Sequence, residues 1–185
     1  MTLSVEKINE YIAKWEKNPM SKPRIAKVTV NISVGAATDR LSGAMKVLEE
    51  LTGQKPVPRK AKRTIKDFGI RKGENIAAIT TLRKQKAIDF LKKVFSVLGN
   101  RLNASCFDNF GNFTIGIKEH IVFPGVKYDP EIGIFGMDIA VTIEKPGYRI
   151  IRRKRCRKKH IPLRHRVSRE EAMVFINREF GVEIV

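Results

Sequence analysis

Hydrophobic and polar residues alternate strictly between Lys27 and Val34, which predicts a β-strand with one apolar and one polar side. The apolar side carries Val28, Val30, Ile32 and Val34. The polar side carries Lys27, Thr29, Asn31 and Ser33. Most of these polar groups are short hydrogen-bonding side chains, whereas a strand face that only contacts water usually carries Glu and Lys. The polar side is therefore a candidate binding surface, and Gly35 closes the strand.

Apolar side chains three and four residues apart predict four amphipathic helices. These helices contain residues 5–15, 41–51, 88–98 and the segment after Ser168, and they end near Pro19, Gly53, Gly99 and Gly181. The sequence Ser168-Arg-Glu-Glu171 fits a capping box at the start of the last helix. A short strand is expected after Gly181.

Three further segments have the composition of strands, namely Ile76–Leu82, Phe113–Lys118 and Met137–Glu144. The spacing of the strands is too irregular for parallel crossovers throughout. We therefore predict an α+β fold, in which a mainly antiparallel sheet of four to five strands packs against helices. The chain is interpreted as a single domain over residues 1–185, with a core at 1–148, a basic extension at 149–169, and a terminal helix and short strand at 168–185.

The composition of the 185-residue chain is that of a globular protein, because 42% of the residues are hydrophobic and ten are Phe. The longest apolar run is shorter than eighteen residues, which argues against a membrane span. The N-terminal residues lack the apolar core of a signal peptide. Cys106 and Cys156 are far apart and are expected to be free thiols. We expect a soluble cytoplasmic protein that does not contact membranes.

Residues 54–75 differ from the segments around them, because eight basic residues occur with only two acidic ones. Pro56, Pro58, Gly69 and Gly73 interrupt any regular structure in this segment. We interpret it as a basic arm and a loop.

A second basic segment, Arg149–Arg169, contains eleven Lys or Arg residues and no acidic residue, on a chain with a formal net charge of +18. We call this segment the basic extension. Its charges repel one another unless an anionic partner lies beside them, and nucleic acid offers a regular array of phosphates. A solvated tail is the alternative. Interruptions such as Ile150, Ile161 and Val167 and the helix that follows favour a nucleic-acid partner.

The sequence motifs give little support to a catalytic or metal-binding function. The phosphate-binding loop of nucleotide-binding proteins is absent, and Gly133–Gly136 holds Ile and Phe where an RNA-binding loop of that spacing would be basic. Cys156, His160 and His165 have a spacing that could hold a metal, but no second cysteine pair completes the site. We expect no enzyme activity, no catalytic residues, no metal and no cofactor.

Folded RNA is the favoured partner, because only Phe68 and Tyr148 are aromatic residues close to the basic segments. A platform for single-stranded nucleic acid would interleave more of them. Double-helical RNA is recognised through its shape and backbone. Composition alone leaves duplex DNA open.

Six motifs resemble one ribosomal protein family, the L-five family of the large subunit, whose members bind 5S rRNA. They are Lys27–Gly35, Leu51–Pro56, Gly69–Gly73, Phe113–Glu119, Ile121–Pro124 and Gly136–Ile139, in the order of the family and within residues 20–145. The basic extension and the final helix are similar to those of the archaeal and eukaryotic branch. The resemblance implies a structural constituent of the large subunit at the central protuberance.

The resemblance also implies three sets of site residues and their partners. Contacts with 5S rRNA are expected from Lys27, Thr29, Asn31, Ser33, Gly35, Thr52, Gly53, Gln54, Lys55, Arg59, Lys62 and Arg63. Contacts with P-site tRNA are expected from Phe68, Gly69, Ile70, Arg71, Lys72 and Gly73. Contacts with large-subunit rRNA are expected from Arg149, Arg152, Arg153, Lys154, Arg155, Arg157, Lys158, Lys159, Arg164 and Arg166. Neighbouring ribosomal proteins are the other expected partners.

Two other functions stay open, an RNA-processing or RNA-modifying enzyme and a DNA-architectural protein. A buried acid or nucleophile in a pocket would favour the enzyme, and equal affinity for duplex DNA would favour the architectural protein. We further expect the loop Phe68–Glu74 to be mobile in the free protein. The residues Arg149–Arg166 of the basic extension are expected to be poorly ordered until they dock on rRNA.

Overall fold

The computed structural model describes residues 5–35, 38–126, 129–130 and 132–185. Its helices are α1 (Val5–Lys17), α2 (Thr38–Thr52), α3 (Lys84–Val97), α4 (Arg149–Arg152) and α5 (Arg169–Phe180). Its strands are β1 (Arg24–Ser33), β2 (Val57–Lys60), β3 (Asn75–Leu82), β4 (Arg101–Leu102), β5 (Phe113–Ile117), β6 (Met137–Glu144) and β7 (Glu183–Ile184). The four long helices and the principal strands predicted from periodicity are therefore confirmed.

Five of the strands form one sheet in the order β2-β3-β1-β6-β5, and β3 pairs antiparallel with both β1 and β2. Strands β4 and β7 form a separate parallel pair. The predicted α+β class with a mainly antiparallel sheet is confirmed. The chain divides into two compact units, residues 1–26, 98–113 and 141–185 in the first, and 27–97 and 114–140 in the second. The predicted subdivision at residues 148 and 168 stays a prediction.

In the second unit, the alternation in β1 produces one buried and one partly exposed side. Val28, Val30 and Ile32 are completely buried, and the neighbouring strand β3 adds Ala78 and Leu82 to the same apolar face. Helix α2 packs on β3. Each fully buried aliphatic side chain contributes about 1.5–3 kcal/mol through the hydrophobic effect, so this face fixes the strand register and directs the polar side outward.

The interpretation of residues 54–75 as an arm and a loop without regular structure is wrong in part, because this segment contains strand β2. Val57–Lys60 pairs with β3 and lies at the edge of the sheet, with Pro58 opposite Ala78. Proline cannot donate a backbone hydrogen bond, so it is tolerated on an edge strand. Pro56 and Pro58 therefore mark a sheet edge and not the absence of a strand.

In the first unit, α5 is buried at six consecutive positions, from Glu171 to Ile176. The Ser168 hydroxyl accepts a hydrogen bond from the Glu171 amide at 3.2 Å, which confirms the serine half of the capping box. The carboxylate of Glu171 has other partners, because it pairs with Lys145 and accepts from the Trp15 indole N–H at 3.1 Å. Trp15 also packs edge-on against Phe175.

Candidate nucleic-acid interface

The polar side of β1 forms a continuous surface with the neighbouring strands. Cross-strand partners in a sheet share a face, and Asn31 lies opposite Ile79, which in turn lies opposite Val57. By the same register, Ser33 and Arg59 both lie opposite Ala77. The Asn31 amide donates to the Ser33 hydroxyl at 3.1 Å, and the polar side of β1 is half-buried to exposed. The short polar groups of β1 are therefore flanked by the apolar residues Ile79, Ala77 and Val57 and by the cation Arg59.

The predicted Thr52–Lys55 turn meets this surface at Thr81, which lies opposite Thr29. The Gln54 amide donates to the Thr81 carbonyl at 3.3 Å, and the Thr52 hydroxyl donates to the Leu48 carbonyl at 2.6 Å. Gly53 has a φ of +60°, a conformation that favours glycine. The structure thus brings together the two parts of the predicted 5S rRNA site. Gln54 positions the turn, while Lys55 is exposed.

Arg59, Lys62 and Arg63 are all exposed. The chain from Ala61 to Gly73, between β2 and β3, forms a loop that backbone hydrogen bonds close. Ala61 and Gly73 are joined by a backbone hydrogen bond of 3.0 Å, and Ile65 and Ile70 exchange two such bonds. The Lys72 amide also donates to the Thr64 hydroxyl. These bonds give the loop a defined shape up to its tip, and the mobility of Phe68–Glu74 in the free protein stays a prediction.

The tip holds the residues predicted to contact tRNA. Phe68 is 72% exposed, and Arg71 and Lys72 are also exposed. Gly69 and Gly73 both have positive φ angles, of 65° and 91°, so a side chain at either position would strain the backbone. The loop therefore presents one aromatic ring and two cations to the solvent.

The two ends of the basic extension are tied together by contacts within the first unit. The carbonyl of Pro146, just before its start, lies 2.9 Å from Nε2 of His165 near its other end. Near its other end, the Arg166 carbonyl accepts from the Lys145 ammonium at 3.4 Å, and Val167 is buried. Ile161 is buried between these two ends. Any mobility of the extension is therefore expected in the residues between its ends.

Three of the ten cations predicted to contact large-subunit rRNA have contacts within the chain. Arg152 pairs with Glu144, Arg153 donates to the Arg157 carbonyl, and the Arg166 guanidinium lies over the Phe110 ring. The other seven side chains are exposed, and they are Arg149, Lys154, Arg155, Arg157, Lys158, Lys159 and Arg164. The first group contacts other parts of the chain, and the second carries exposed positive charge.

Sequence reasoning missed two residues that the fold places in contact with predicted site residues. Thr81 could have been found from the alternation in β3 once its pairing with β1 was known. Phe110 carried no local signal, because it lies 56 positions before Arg166 and only the fold brings the two together. Phe110 is therefore an aromatic residue that is close to the extension in space and not in sequence.

A cleft beside His120 is the place where an enzyme site would be sought. Its other lining residues are Val47, Glu50, Gly125, Asp129 and Ile132, and the two acids among them, Glu50 and Asp129, are exposed and not buried. Burial lowers the pKa of His120, and its Nδ1 accepts from the Phe135 amide at 3.2 Å. The neutral imidazole therefore accepts a hydrogen bond from the backbone and has a structural role.

Within residues 5–35, 38–126, 129–130 and 132–185, no cluster of three His, Cys, Asp or Glu side chains could hold a metal ion. In that part of the chain, no helix is long and apolar enough to cross a bilayer.

Comparison with known proteins agrees with the motifs noted above. The family model described as ribosomal protein L5 matches residues 18–71, and the model described as the C-terminus of the same ribosomal family matches residues 75–175. A large ribosomal subunit protein uL5 from Aeropyrum pernix is 58% identical over 180 residues, which cover 97% of this chain and 94% of the relative.

Two other archaeal relatives have the same name. The protein from Sulfurisphaera tokodaii is 57% identical over 91% of this chain and 95% of its own length. The protein from Methanococcus vannielii is 55% identical over 92% of this chain and 96% of its own length. These relatives are named as ribosomal proteins and not as enzymes, which confirms the prediction of a non-catalytic protein. The chain belongs to the ribosomal protein L5 family, whose members are structural proteins of the large ribosomal subunit.

Proposed function

We propose that this protein binds 5S rRNA and large-subunit rRNA at the central protuberance of the cytoplasmic ribosome and contacts P-site tRNA. Each partner is assigned to a separate surface. The polar side of β1 and the Thr52–Lys55 turn bind 5S rRNA, the loop tip touches tRNA, and the basic extension docks on large-subunit rRNA. Neighbouring ribosomal proteins complete its surroundings.

The observation that carries this proposal is the row of short polar groups along the accessible side of β1, with Asn31 near its middle. Short hydroxyl and amide groups on a rigid sheet can exchange hydrogen bonds with ribose hydroxyls and phosphates in the shallow minor groove of A-form RNA. Arg59 and Lys60 on the sheet edge add positive charge beside it. Because the buried side of β1 fixes the register, these groups are pre-organised before RNA binds.

The seven exposed cations of the basic extension suit a different kind of contact. Lys and Arg bind phosphates at any sequence, so they position a protein on RNA without reading bases. The two ends of the extension are already held, which lowers the conformational entropy lost on docking compared with a free tail.

The loop between Ala61 and Glu74 suits an intermittent partner such as tRNA. Its base is closed by backbone hydrogen bonds, while Phe68, Arg71 and Lys72 project at the exposed end. Such a loop reaches beyond the 5S rRNA surface, so contact with tRNA does not require the sheet to move.

A gel-shift comparison at physiological salt tests the proposal. The protein is titrated into 5S rRNA, into an unrelated structured RNA of the same length, and into duplex DNA. We expect the affinity for 5S rRNA to exceed that for both competitors by more than tenfold. Equal affinity for the three nucleic acids would contradict specific 5S rRNA binding, and tighter binding of duplex DNA would favour a DNA-architectural protein.

A further inference from the structure

The ring of Phe110 and the guanidinium of Arg166 form a cation–π contact in the first unit. The Cζ atom of Arg166 lies 5.0 Å from the centre of the ring. Although the guanidinium lies over the ring, 47% of Phe110 remains exposed. The part of the ring that Arg166 leaves uncovered is therefore accessible to a ligand.

The loop that carries Phe110 is held in a fixed shape. One carboxylate oxygen of Asp108 accepts from the amides of Phe110 and Asn112, each at 2.8 Å. The other carboxylate oxygen accepts from the Asn112 side chain at 2.9 Å. Three hydrogen bonds on one side chain therefore fix the backbone on both sides of the ring.

Close packing fixes the same loop against α5. Gly111 has a φ of +74°, and a Cβ atom there would lie 2.8 Å from Val167 and 2.9 Å from Ala172. Only glycine allows this approach. The ring therefore keeps its position next to the segment that carries Arg166.

The backbone of Arg166 is also held in place. Its carbonyl accepts from Lys145, whose ammonium lies 2.6 Å from the buried carboxylate of Glu171. A buried ion pair thus positions the backbone that carries the guanidinium, and the guanidinium itself lies over the Phe110 ring. Ring and cation are arranged before any ligand arrives, which reduces the ordering cost of binding.

We propose that Phe110 and Arg166 form a stacking site for an unpaired nucleobase of the rRNA that the basic extension contacts. This inference rests on the proposed rRNA binding. A base has a flat π face that stacks on both aromatic rings and guanidinium planes. Arg164, an exposed cation two residues before Arg166, can hold the phosphate of the same nucleotide. This positive charge favours an anionic nucleotide over the apolar side chain of a protein partner.

Two substitutions of Phe110 distinguish stacking by the aromatic ring from simple filling of space by an apolar side chain. Phe110→Leu keeps an apolar side chain but removes the π face, and Phe110→Trp enlarges it. Because the π face carries most of the stacking on one base, we expect Phe110→Leu to weaken binding to large-subunit rRNA about tenfold. The dependence of affinity on salt should stay unchanged, because no phosphate contact is lost. Phe110→Trp should bind at least as tightly as the native protein.

Leu163→Ala is the matched control, because Leu163 is an exposed apolar residue of the same extension without a π face. It should bind rRNA like the native protein. Thermal unfolding of each variant checks that the fold is retained. As a second measurement, the fluorescence of the Phe110→Trp variant should be quenched on addition of large-subunit rRNA, relative to the native protein.

The outcomes are distinguishable from those that test the proposed function. If the native protein binds neither rRNA, the proposed function fails and this inference fails with it. If the native protein binds and Phe110→Leu binds equally well, or if the added fluorescence is not quenched, only the stacking site is overturned. Native rRNA affinity of Phe110→Leu combined with loss of a neighbouring ribosomal protein from assembled subunits would show that a protein covers the ring, and would also overturn it.

Discussion

The side-chain ammonium of Lys145 lies 2.6 Å from a carboxylate oxygen of Glu171, and both side chains are almost completely buried. Glu171 also accepts a hydrogen bond from the indole N–H of Trp15, and Lys145 also donates a hydrogen bond to the Arg166 carbonyl. This buried pair joins α1, α5 and the end of the basic extension within one unit. Its integrity is therefore expected to control both stability and the shape of the extension.

Replacing Lys145 with Met should lower the free energy of unfolding by about 3–5 kcal/mol, because Glu171 would be left as a buried, uncompensated charge. Urea unfolding measures the loss. Lys7→Met is the matched control, since Lys7 pairs with Glu170 on the surface and such exposed pairs contribute less than about 1 kcal/mol. Equal losses in the two variants would contradict the structural role of the buried pair.

His120 should make stability depend on pH in mildly acidic solution. Burial lowers the pKa of this imidazole below its ordinary value of about 6.5, so the unfolded chain binds a proton more readily than the folded one. The stabilising contribution of neutral His120 is fully present above a pH of about 6.5, and it is lost as the pH falls towards the lowered pKa of the folded protein. The slope should reach at most about 1.4 kcal/mol per pH unit.

Denaturant unfolding between pH 7.5 and 5 measures this slope, and His120→Gln removes the titrating group. The amide oxygen of Gln can still accept a hydrogen bond from a backbone amide. The chain has only two other histidines, which are present in both proteins. An identical pH dependence in the native and substituted proteins would contradict the assignment to His120.

The loop tip should affect tRNA without affecting 5S rRNA. Arg71→Ala combined with Lys72→Ala removes two exposed cations and leaves the backbone hydrogen bonds of the loop in place. We expect unchanged affinity for 5S rRNA and faster release of P-site tRNA from reconstituted ribosomes. Lys92→Ala with Lys93→Ala on α3 provides a control of equal charge. A loss of 5S rRNA affinity at the tip would contradict the division of surfaces.

The exposed cations of the basic extension should set the salt dependence of binding to large-subunit rRNA. Replacing Lys154, Arg155, Arg157 and Lys158 with Gln should reduce the slope of log affinity against log salt by up to about 4 units, if each side chain neutralises one phosphate. Filter binding over a salt series measures the slope. These four are preferred to Arg152 and Arg153, which have partners within the chain. An unchanged slope would mean that the four cations only contact water.

Periodicity was sufficient to predict the elements whose residues carry a strong apolar pattern. Strand β1 and helix α3 were found within a few residues of their observed ends, because burial of one side dominates their energetics. Strand β2 was missed because Pro58 hides an edge strand, and β4 was missed because two residues are too few for any periodicity. The carboxylate of Glu171 was assigned to a helix cap, but a buried cation competes for it more strongly.

The candidate interface was predictable only where its residues are neighbours in the chain. The alternation from Lys27 to Ser33 exposes its polar side without knowledge of other strands. The contact of Gln54 with Thr81 depends on the position of the turn relative to β3, and the contact of Arg166 with Phe110 depends on tertiary packing. No local pattern encodes either of these contacts.

The most direct test of the central claim is the affinity for 5S rRNA of a protein whose β1 polar surface has been removed. Lys27, Thr29 and Asn31 are replaced together with Ala, and Asn9→Ala on α1 serves as the control. Each lost intermolecular hydrogen bond costs about 1 kcal/mol, so we expect at least a hundredfold loss of affinity in a variant that still unfolds cooperatively. An unchanged affinity for 5S rRNA would contradict the assignment of this surface.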